Sequence, residues 1–344
     1  MRIVRSRAPL RLGIAGGGTD ISPYCDEFTG YVLNATIDRY AYCTIEETQD
    51  NTVHFFAADR ETEMVLKIDD YPFALDGALE LHRATYNRII KDFNKNKPIS
   101  IKVVTFSDAP MGSGLGASST LVVSMIKAFD EYLRLNLDDY QIAGLAYTIE
   151  RQDCKLQGGR QDQYSATFGG FNFMEFYDNG RVLVNPLRIR NWIKCELESS
   201  LLLYYTGTSR VSGNIIDDQS KNMQKGESIC MEAMHNIKKS ALVMKESLLK
   251  GDFCTFIEHL NLGWENKKKS AKMISNQAID EAFMAAMQSG ALGGKISGAG
   301  GGGFIMFFVN PSKRSKVVEV LSKFGGWTSN CHFSNEGSQC WTVS

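Results

Sequence analysis

The sequence predicts an α+β protein in two lobes. Strand-like alternation dominates the first half and helical periodicity dominates the second. The length, 344 residues, suits one large domain or two that share a seam. The boundary is expected near 186–200, which gives lobes 1–190 and 191–344.

The elements follow in chain order. Residues 1–14 alternate and then turn apolar, a strand that runs into a glycine loop. Residues 31–47 (YVLNATIDRYAYCTIEE), 53–57 and 63–68 are rich in β-formers and read as further strands. A helix is predicted over 74–94, then a strand over 99–106. A glycine loop at 110–116 opens an apolar helical stretch, 118–133. Another helix covers 138–151, a loop 154–163, and strands 170–176 and 181–186. In the second half, strand 201–206 precedes helical patterning over 211–249, followed by helices at 252–269 and 276–288. Strand-like 292–297 and 304–309 flank another glycine loop. Helix 311–323 and β-like residues 330–343 finish the chain.

Composition excludes several functions. The 38 Lys+Arg and 39 Asp+Glu nearly cancel, which argues against a protein that grips nucleic acid or an anionic membrane. A hydrophobic fraction of 43% with 22% charged residues is globular, not disordered, collagen-like or coiled coil. No run approaches a membrane span, and Arg2, Arg5 and Arg7 at the start precede no signal-peptide core. The 8 Cys form no CxxC pair and the 5 His are scattered, so no zinc or iron–sulfur site is expected. Reduced thiols and a cytoplasmic location are the expectation.

Three glycine loops carry the functional signal: AGGGTD (15–20), PMGSGLGASST (110–120) and SGAGGGG (297–303). Glycine lets backbone N–H groups approach an anion with no Cβ in the way. A loop that opens a helix adds the helix N-terminal dipole, and the middle loop has that grammar. The middle and last loops also fit forms of the dinucleotide pattern G-x-G-x-x-G/A. That reading wants an acid ending a second strand about 20 residues on, and both distances land in helix. No G-x-x-x-x-G-K-[ST] occurs, which excludes a Walker A loop. Ser118, Ser119 and Thr120 supply hydroxyls at a helix start, for Mg²⁺, a phosphate oxygen or a plain N-cap.

Together these segments resemble the motifs of the GHMP kinases, in order and in spacing. Pro9-Leu-Arg11 runs into Gly16-Gly-Gly-Thr19-Asp20; Pro110 leads to Gly114-Leu-Gly116-Ala-Ser118-Ser119; Lys295-Ile-Ser leads to Gly298-Ala-Gly300. RAPLRLGIAGGGTD is most similar to the sugar-phosphate branch, the D-glycero-α-D-manno-heptose 7-phosphate kinases, and so are GGRQDQY (158–164) and HLNLGWENKK (259–268). The resemblance implies a ribosomal-protein-S5-like N-terminal lobe, a ferredoxin-like C-terminal lobe, and ATP with Mg²⁺ as cofactors. It makes Asp162 the catalytic Asp, which orients or deprotonates the acceptor hydroxyl, with Arg11 beside it, and Ser118 and Glu150 the metal ligands. Pro110, Gly112, Ser113, Gly114, Leu115, Gly116, Ala117, Ser118 and Ser119 would wrap the nucleotide phosphates. Gly17, Gly18, Thr19 and Asp20 would meet the sugar, and Gly298 and Gly300 would shape the floor between the two substrates. The chain departs from the family in two places. Galactokinase-like members carry Glu-His at Gly17-Gly18, and many members carry Ser at Ala117. Counting from Gly116 favours Ser118 over Ser119 as the metal-facing hydroxyl.

The chemistry agrees with that resemblance. Phosphoryl transfer requires an anion-binding backbone, a divalent metal and a positioned acceptor hydroxyl. An acceptor that already carries phosphate needs cations of its own. Arg7, Arg160, Lys295 and Arg210, within TGTSRVS (206–212), are the candidates. Lys267, Lys268 and Lys269 read as a wet helix face. Three functions compete: a heptose 7-phosphate kinase, a relative with another acceptor such as fucose, galactose or a mevalonate derivative, and a non-catalytic sensor. The complete Asp162, Glu150 and Ser118 set opposes the sensor. The expected partner is a small-molecule sugar phosphate, with no nucleic acid and no membrane. The sequence leaves open whether the chain forms a homodimer.

Overall fold

The computed structural model describes residues 2–208 and 212–343. In chain order the first part holds β1 (Ile3–Ala15), α1 (Tyr24–Phe28), β2 (Gly30–Glu47), β3 (Thr52–Ala57), β4 (Thr62–Lys67), α2 (Glu80–Phe93), β5 (Ile101–Ser107), α3 (Ala117–Leu133), α4 (Asp139–Thr148), α5 (Gln161–Phe168), β6 (Phe171–Phe176) and β7 (Val182–Pro186). Then come α6 (Asn191–Ser200), β8 (Leu201–Tyr205), α7 (Ser212–Gln224), α8 (Ser228–Lys250), α9 (Phe253–Ser270), α10 (Gln277–Ser289), β9 (Ala291–Ile296), β10 (Phe304–Val309), α11 (Arg314–Leu321), β11 (Trp327–Ser329) and β12 (Gln339–Val343).

Eight strands form the first sheet, in the order β12-β1-β2-β5-β3-β4, with β6 and β7 added beside β2. The long strand β2 serves two partners. Its first residues, 30–35, pair with β6, and residues 41–47 pair with β5. Strand β12 pairs with residues 3–7 of β1, so the chain returns from the second half to edge the first sheet. The second sheet is antiparallel, in the order β11-β8-β10-β9.

Helix α3 is apolar nearly all round because it is enclosed. Leu121, Val122, Val123, Met125, Ile126 and Phe129 all join the core beneath the first sheet. A second core joins the lobes. Leu10, Leu12 and Leu33 of the first sheet meet Leu203, Phe304 and Met306 of the second, with Met244 of α8 and Leu260 of α9. The seam is therefore packed, and the glycine loops at the ends of β1, β5 and β9 open onto it.

The expected elements are present with local differences. The helix expected from 74 begins at Glu80, because the Arg83 guanidinium gathers the carbonyls of Ala74, Asp76 and Ala78 and holds that stretch as a loop. The helical run 211–249 breaks at Gly226, whose φ of +64° ends α7 before α8 starts. The helix 138–151 changes character at Ile149, where a π-type turn covers Ile149–Asp153. Three helices were not expected: α1, α5 and α6. Among the described residues no helix is long and apolar enough to cross a membrane.

Candidate active site

The three glycine loops converge because each lets backbone meet backbone. Gly114 has φ +82°, and a Cβ there would lie 2.2 Å from the Ser297 carbonyl oxygen of the third loop. The Phe304 N–H donates to Ser113 O at 2.9 Å, and the Arg11 N–H donates to Leu115 O at 3.1 Å. The middle loop is thus stitched to β1 on one side and to the third loop on the other. In the first loop, Gly16 (φ +79°) lies where a Cβ would meet Tyr31 O at 1.8 Å. The convergence leaves a cavity of about 450 Å³.

Gly112, Gly114, Gly116, Ala117, Ser118 and Ser119 line one end of this cavity. The N-cap of α3 is Gly116, and no side chain caps it. The first-turn N–H groups therefore remain available to an anion. Pro110, Ser113 and Leu115 do not line the cavity. Pro110 is exposed and Ser113 is buried, while Leu115 belongs to the shared core. These three shape the loop and do not face the space it encloses.

Asp162 lies in the first turn of α5, not in a loop. Arg11, on β1 and almost fully buried, reaches Asp162 Oδ1 with Nε at 2.7 Å and Nη2 at 2.6 Å. Its Nη1 donates to Gly114 O at 2.5 Å and to Ser297 Oγ at 3.3 Å. One guanidinium therefore ties the carboxylate to the middle and third loops. Asp20 organises the same helix from outside. Its Oδ2 accepts from the N–H groups of Arg160 and Gln161 at 3.0 and 3.1 Å, and its Oδ1 accepts from Gly18 N–H at 3.1 Å. It does the work of an N-cap on α5 while also lining the cavity.

Glu150 is carried inward by the π-type turn and is 1% exposed. It accepts a hydrogen bond from Gln163 Nε2, which also donates to Ser119 Oγ at 3.2 Å. Arg151 Nη1 lies 3.9 Å from Glu150 Oε1. Burial pushes the Glu150 carboxyl above its ordinary range, against the pull of Arg151. Gln163 Oε1 is buried with no partner among the described residues. The serine set against Glu150 is Ser119. Ser118 is the more exposed of the pair, and both line the cavity.

The cations are distributed differently from the expectation. Arg7 lies at the β1–β12 edge, bonded to Gln339 and stacked 4.7 Å over the Tyr40 ring, and it does not line the cavity. The Arg160 side chain turns away toward Tyr147 and the Tyr177 carbonyl. Arg210 lies outside the described residues. Lys295 is buried behind the first loop and donates to Gly13 O at 2.6 Å. Lys267, read from sequence as a wet helix face, is instead 7% exposed and lines the cavity. Its ammonium donates to Gly17 O at 3.0 Å and to Gln219 Oε1 at 3.2 Å. Helical spacing held the signal, because Phe256, Leu260, Trp264 and Lys267 share the buried face of α9.

Gly17, Gly18 and Gly298 line the cavity, whereas Thr19 and Gly300 do not. Thr19 is fully buried, its hydroxyl held among Gly16 O, Tyr31 O and the Tyr31 N–H. Gly300 packs on Ile274, where a Cβ would lie 2.8 Å from the carbonyl oxygen. Gln161 and Gln163, within GGRQDQY, also belong to the site, as do Gln219 and Arg151, to which no motif points. Their amides and guanidinium are placed by helix packing.

Comparison with known proteins agrees with this geometry. Residues 80–170 match the family described as GHMP kinases N terminal domain, and residues 244–326 match GHMP kinases C terminal. The chain is 48% identical over 343 residues, all of both chains, to a D-glycero-alpha-D-manno-heptose 7-phosphate kinase of Campylobacter jejuni. It superposes with a TM-score of 0.84 on a crystal structure of a D-glycero-D-manno-heptose 1-phosphate kinase from Bacteroides thetaiotaomicron, 46% identical over 99% of both chains. An L-fucokinase/L-fucose-1-P guanylyltransferase of Bacteroides fragilis is 27% identical over 94% of this chain and 36% of its own length. With its two-lobed fold, its three interlocked glycine loops and a full-length relative at this identity, the chain belongs to the GHMP kinase family and is a kinase.

Proposed function

We propose that this kinase transfers the γ-phosphoryl group of ATP to the anomeric C1 hydroxyl of D-glycero-α-D-manno-heptose 7-phosphate. The product is the 1,7-bisphosphate, which feeds the synthesis of a nucleotide-activated heptose. The observation that carries this reading is the Arg11–Asp162 pair, which faces one cavity with an open helix N-terminus at one end and a cation at the other. The full-length similarity to a heptose 7-phosphate kinase supports the choice of acceptor.

The nucleotide phosphates would lie on the N–H groups of 112–119, where the α3 dipole favours negative charge. Asp162 would accept the hydrogen of the attacking hydroxyl and take its proton as the bond to phosphorus forms. Arg11 holds that carboxylate at one oxygen and leaves Oδ2 without a protein hydrogen bond among the described residues. Asp20 and Gln161 would position the sugar, together with Gly17 and Gly18.

A Mg²⁺ ion fits the donor set. Glu150 and the Ser118 and Ser119 hydroxyls are hard oxygen donors, and Gln163 Oε1 is a further buried oxygen without a partner. Among the described residues no group of three or more His, Cys, Asp or Glu could hold a metal alone. An ion here would rely on phosphates and waters, as Mg²⁺ does in kinases. Bound there, it would neutralise charge on the transferring phosphoryl group.

The test is ADP release across a panel of sugars and sugar phosphates, with the product position read by phosphorus NMR. Turnover of the 7-phosphate with a new C1 phosphate is the expected result. Phosphorylation of a heptose 1-phosphate, or preference for a neutral hexose, would refute the acceptor assignment and leave the kinase assignment standing.

A further inference from the structure

One buried cation of the cavity wall is not explained by the protein around it. Lys267 has two protein partners, the Gly17 carbonyl and the Gln219 amide oxygen, and both are neutral. An ammonium has three N–H donors, and among the described residues no carboxylate pairs with this one. A buried charge with no carboxylate in contact is costly, and burial lowers the Lys267 pKa to about 8 against the more distant pull of Asp20. Lys295, close enough to be felt by it, is lowered to about 7 by burial and by the nearby Lys267 and Arg11. Ammonium groups thus stand against the Gly13 carbonyl near the end of β1 and the Gly17 carbonyl of the first loop, and of the two lysines Lys267 lines the large cavity.

Position separates this charge from the nucleotide. Its neighbours are Gly17, Gly18 and Gln219, all on the first loop and α7, and none on the middle loop. Gly18 is open for it: a Cβ there would stand 2.8 Å from Lys267 Nζ and 2.9 Å from Gln219 Nε2. Among the described residues, the other cations that line the cavity are committed elsewhere. Arg11 is spent on Asp162, and Arg151 is folded onto the carbonyls of Leu156 and Gly159. An anionic group at this end would find a desolvated ammonium with a spare donor.

We propose that Lys267 reads the acceptor's own phosphate and so sets the preference for a phosphorylated over a neutral sugar. The proposal rests on the sugar-phosphate kinase reading above and adds the residue that enforces it. A charge-assisted contact in a desolvated site strengthens with the ligand's charge. A neutral acceptor leaves the ammonium uncompensated, so discrimination comes from both gain and penalty.

The test compares Lys267→Met, which keeps the length of the side chain, with Lys267→Arg, which keeps its charge. Acceptor kinetics are measured on heptose 7-phosphate and on unphosphorylated heptose. In Lys267→Met the acceptor KM for the 7-phosphate is expected to rise about tenfold or more, the scale of one charge-assisted hydrogen bond. The KM for ATP should hold, the ratio of kcat/KM on the 7-phosphate to that on neutral heptose should fall by about tenfold or more, and Lys267→Arg should recover much of it. Thermal shift gives a readout independent of turnover: at a fixed concentration, the stabilisation that heptose 7-phosphate adds to the wild type should shrink in Lys267→Met. An unchanged preference in Lys267→Met overturns the proposal, and so does an equal loss on both acceptors or a rise in the KM for ATP. If the wild type prefers a different sugar phosphate, the heptose assignment fails, and the same comparison on that sugar phosphate decides Lys267. A wild type with no preference for any phosphorylated sugar refutes both.

Discussion

Arg11 addresses a single oxygen of Asp162 with two nitrogen atoms, at 2.7 Å from Nε and 2.6 Å from Nη2, and leaves the other oxygen without a hydrogen bond among the described residues. That asymmetry gives the carboxylate a fixed orientation and one free acceptor. Asp162→Asn should keep the fold and ATP affinity and lower kcat by roughly 10²-fold or more, the usual scale for acid–base groups. Nucleotide binding by calorimetry and steady-state turnover check this together. A matching loss of ATP affinity would make Asp162 a structural element of the seam.

Asp20 is a sugar-facing acid in the sequence reading, yet its oxygens are largely occupied by N–H groups of 18, 160 and 161. Because α5 carries Asp162, capping it fixes where Asp162 stands. Loss of a cap typically costs about 1 kcal/mol. Asp20→Ala should therefore lower the melting temperature in the absence of any sugar, and should lower kcat as well as raising the acceptor KM. An acid that only bound sugar would leave sugar-free stability untouched, so a melting curve separates the two roles.

Glu150 is nearly inaccessible, and its nearest cation is 3.9 Å away. Glu150→Gln removes the charge and keeps an oxygen for Gln163 to donate to. The metal-free protein should be as stable or more stable, because a buried and poorly paired carboxylate is costly. The Mg²⁺ concentration for half-maximal activity should rise. Full activity at limiting Mg²⁺ would remove Glu150 from the metal site.

Much of this was legible before the structure, and the exceptions share a cause. The glycine loops, Arg11, Asp162 and Glu150 stand in contiguous patterns, and their backbone logic is local. Lys267 was misread because three consecutive lysines look solvated, although helical phase turns the first of them inward with Trp264. Arg7 and Arg160 were overvalued because a charge says nothing about its direction; Gln339 and Tyr40 hold the one, Tyr147 and Tyr177 the other. Helix α5 was read as loop because its cap, Asp20, is 140 residues distant in sequence. The contact between Ser119 and Glu150 depends on a π-type turn that no periodicity announces.

The pH dependence of acceptor capture follows from Lys267. The groups that act on it beside burial are Asp20 and Cys230, both favouring its charge; Lys295 on β9 is itself lowered to about 7 by burial and by Lys267 and Arg11. In the free enzyme the Lys267 pKa is lowered to about 8, so the ammonium is charged below that pH and is discharged as pH rises through it. A sugar phosphate gains its second negative charge near pH 6, as phosphate monoesters do. Ammonium and dianion coexist between about 6 and 8, and kcat/KM for the acceptor should peak there. Bound dianion stabilises the charged lysine, which raises its pKa in the complex. The alkaline limb should therefore appear near 8 in kcat/KM, which reports the free enzyme, and move to higher pH in kcat, which reports the complex. Lys295→Met tests the second lysine: Lys295, lowered to about 7, is largely discharged near pH 8, so its loss should leave the limb in place. Lys267→Met should abolish the limb near 8, and its persistence in that variant would assign the titration to another group.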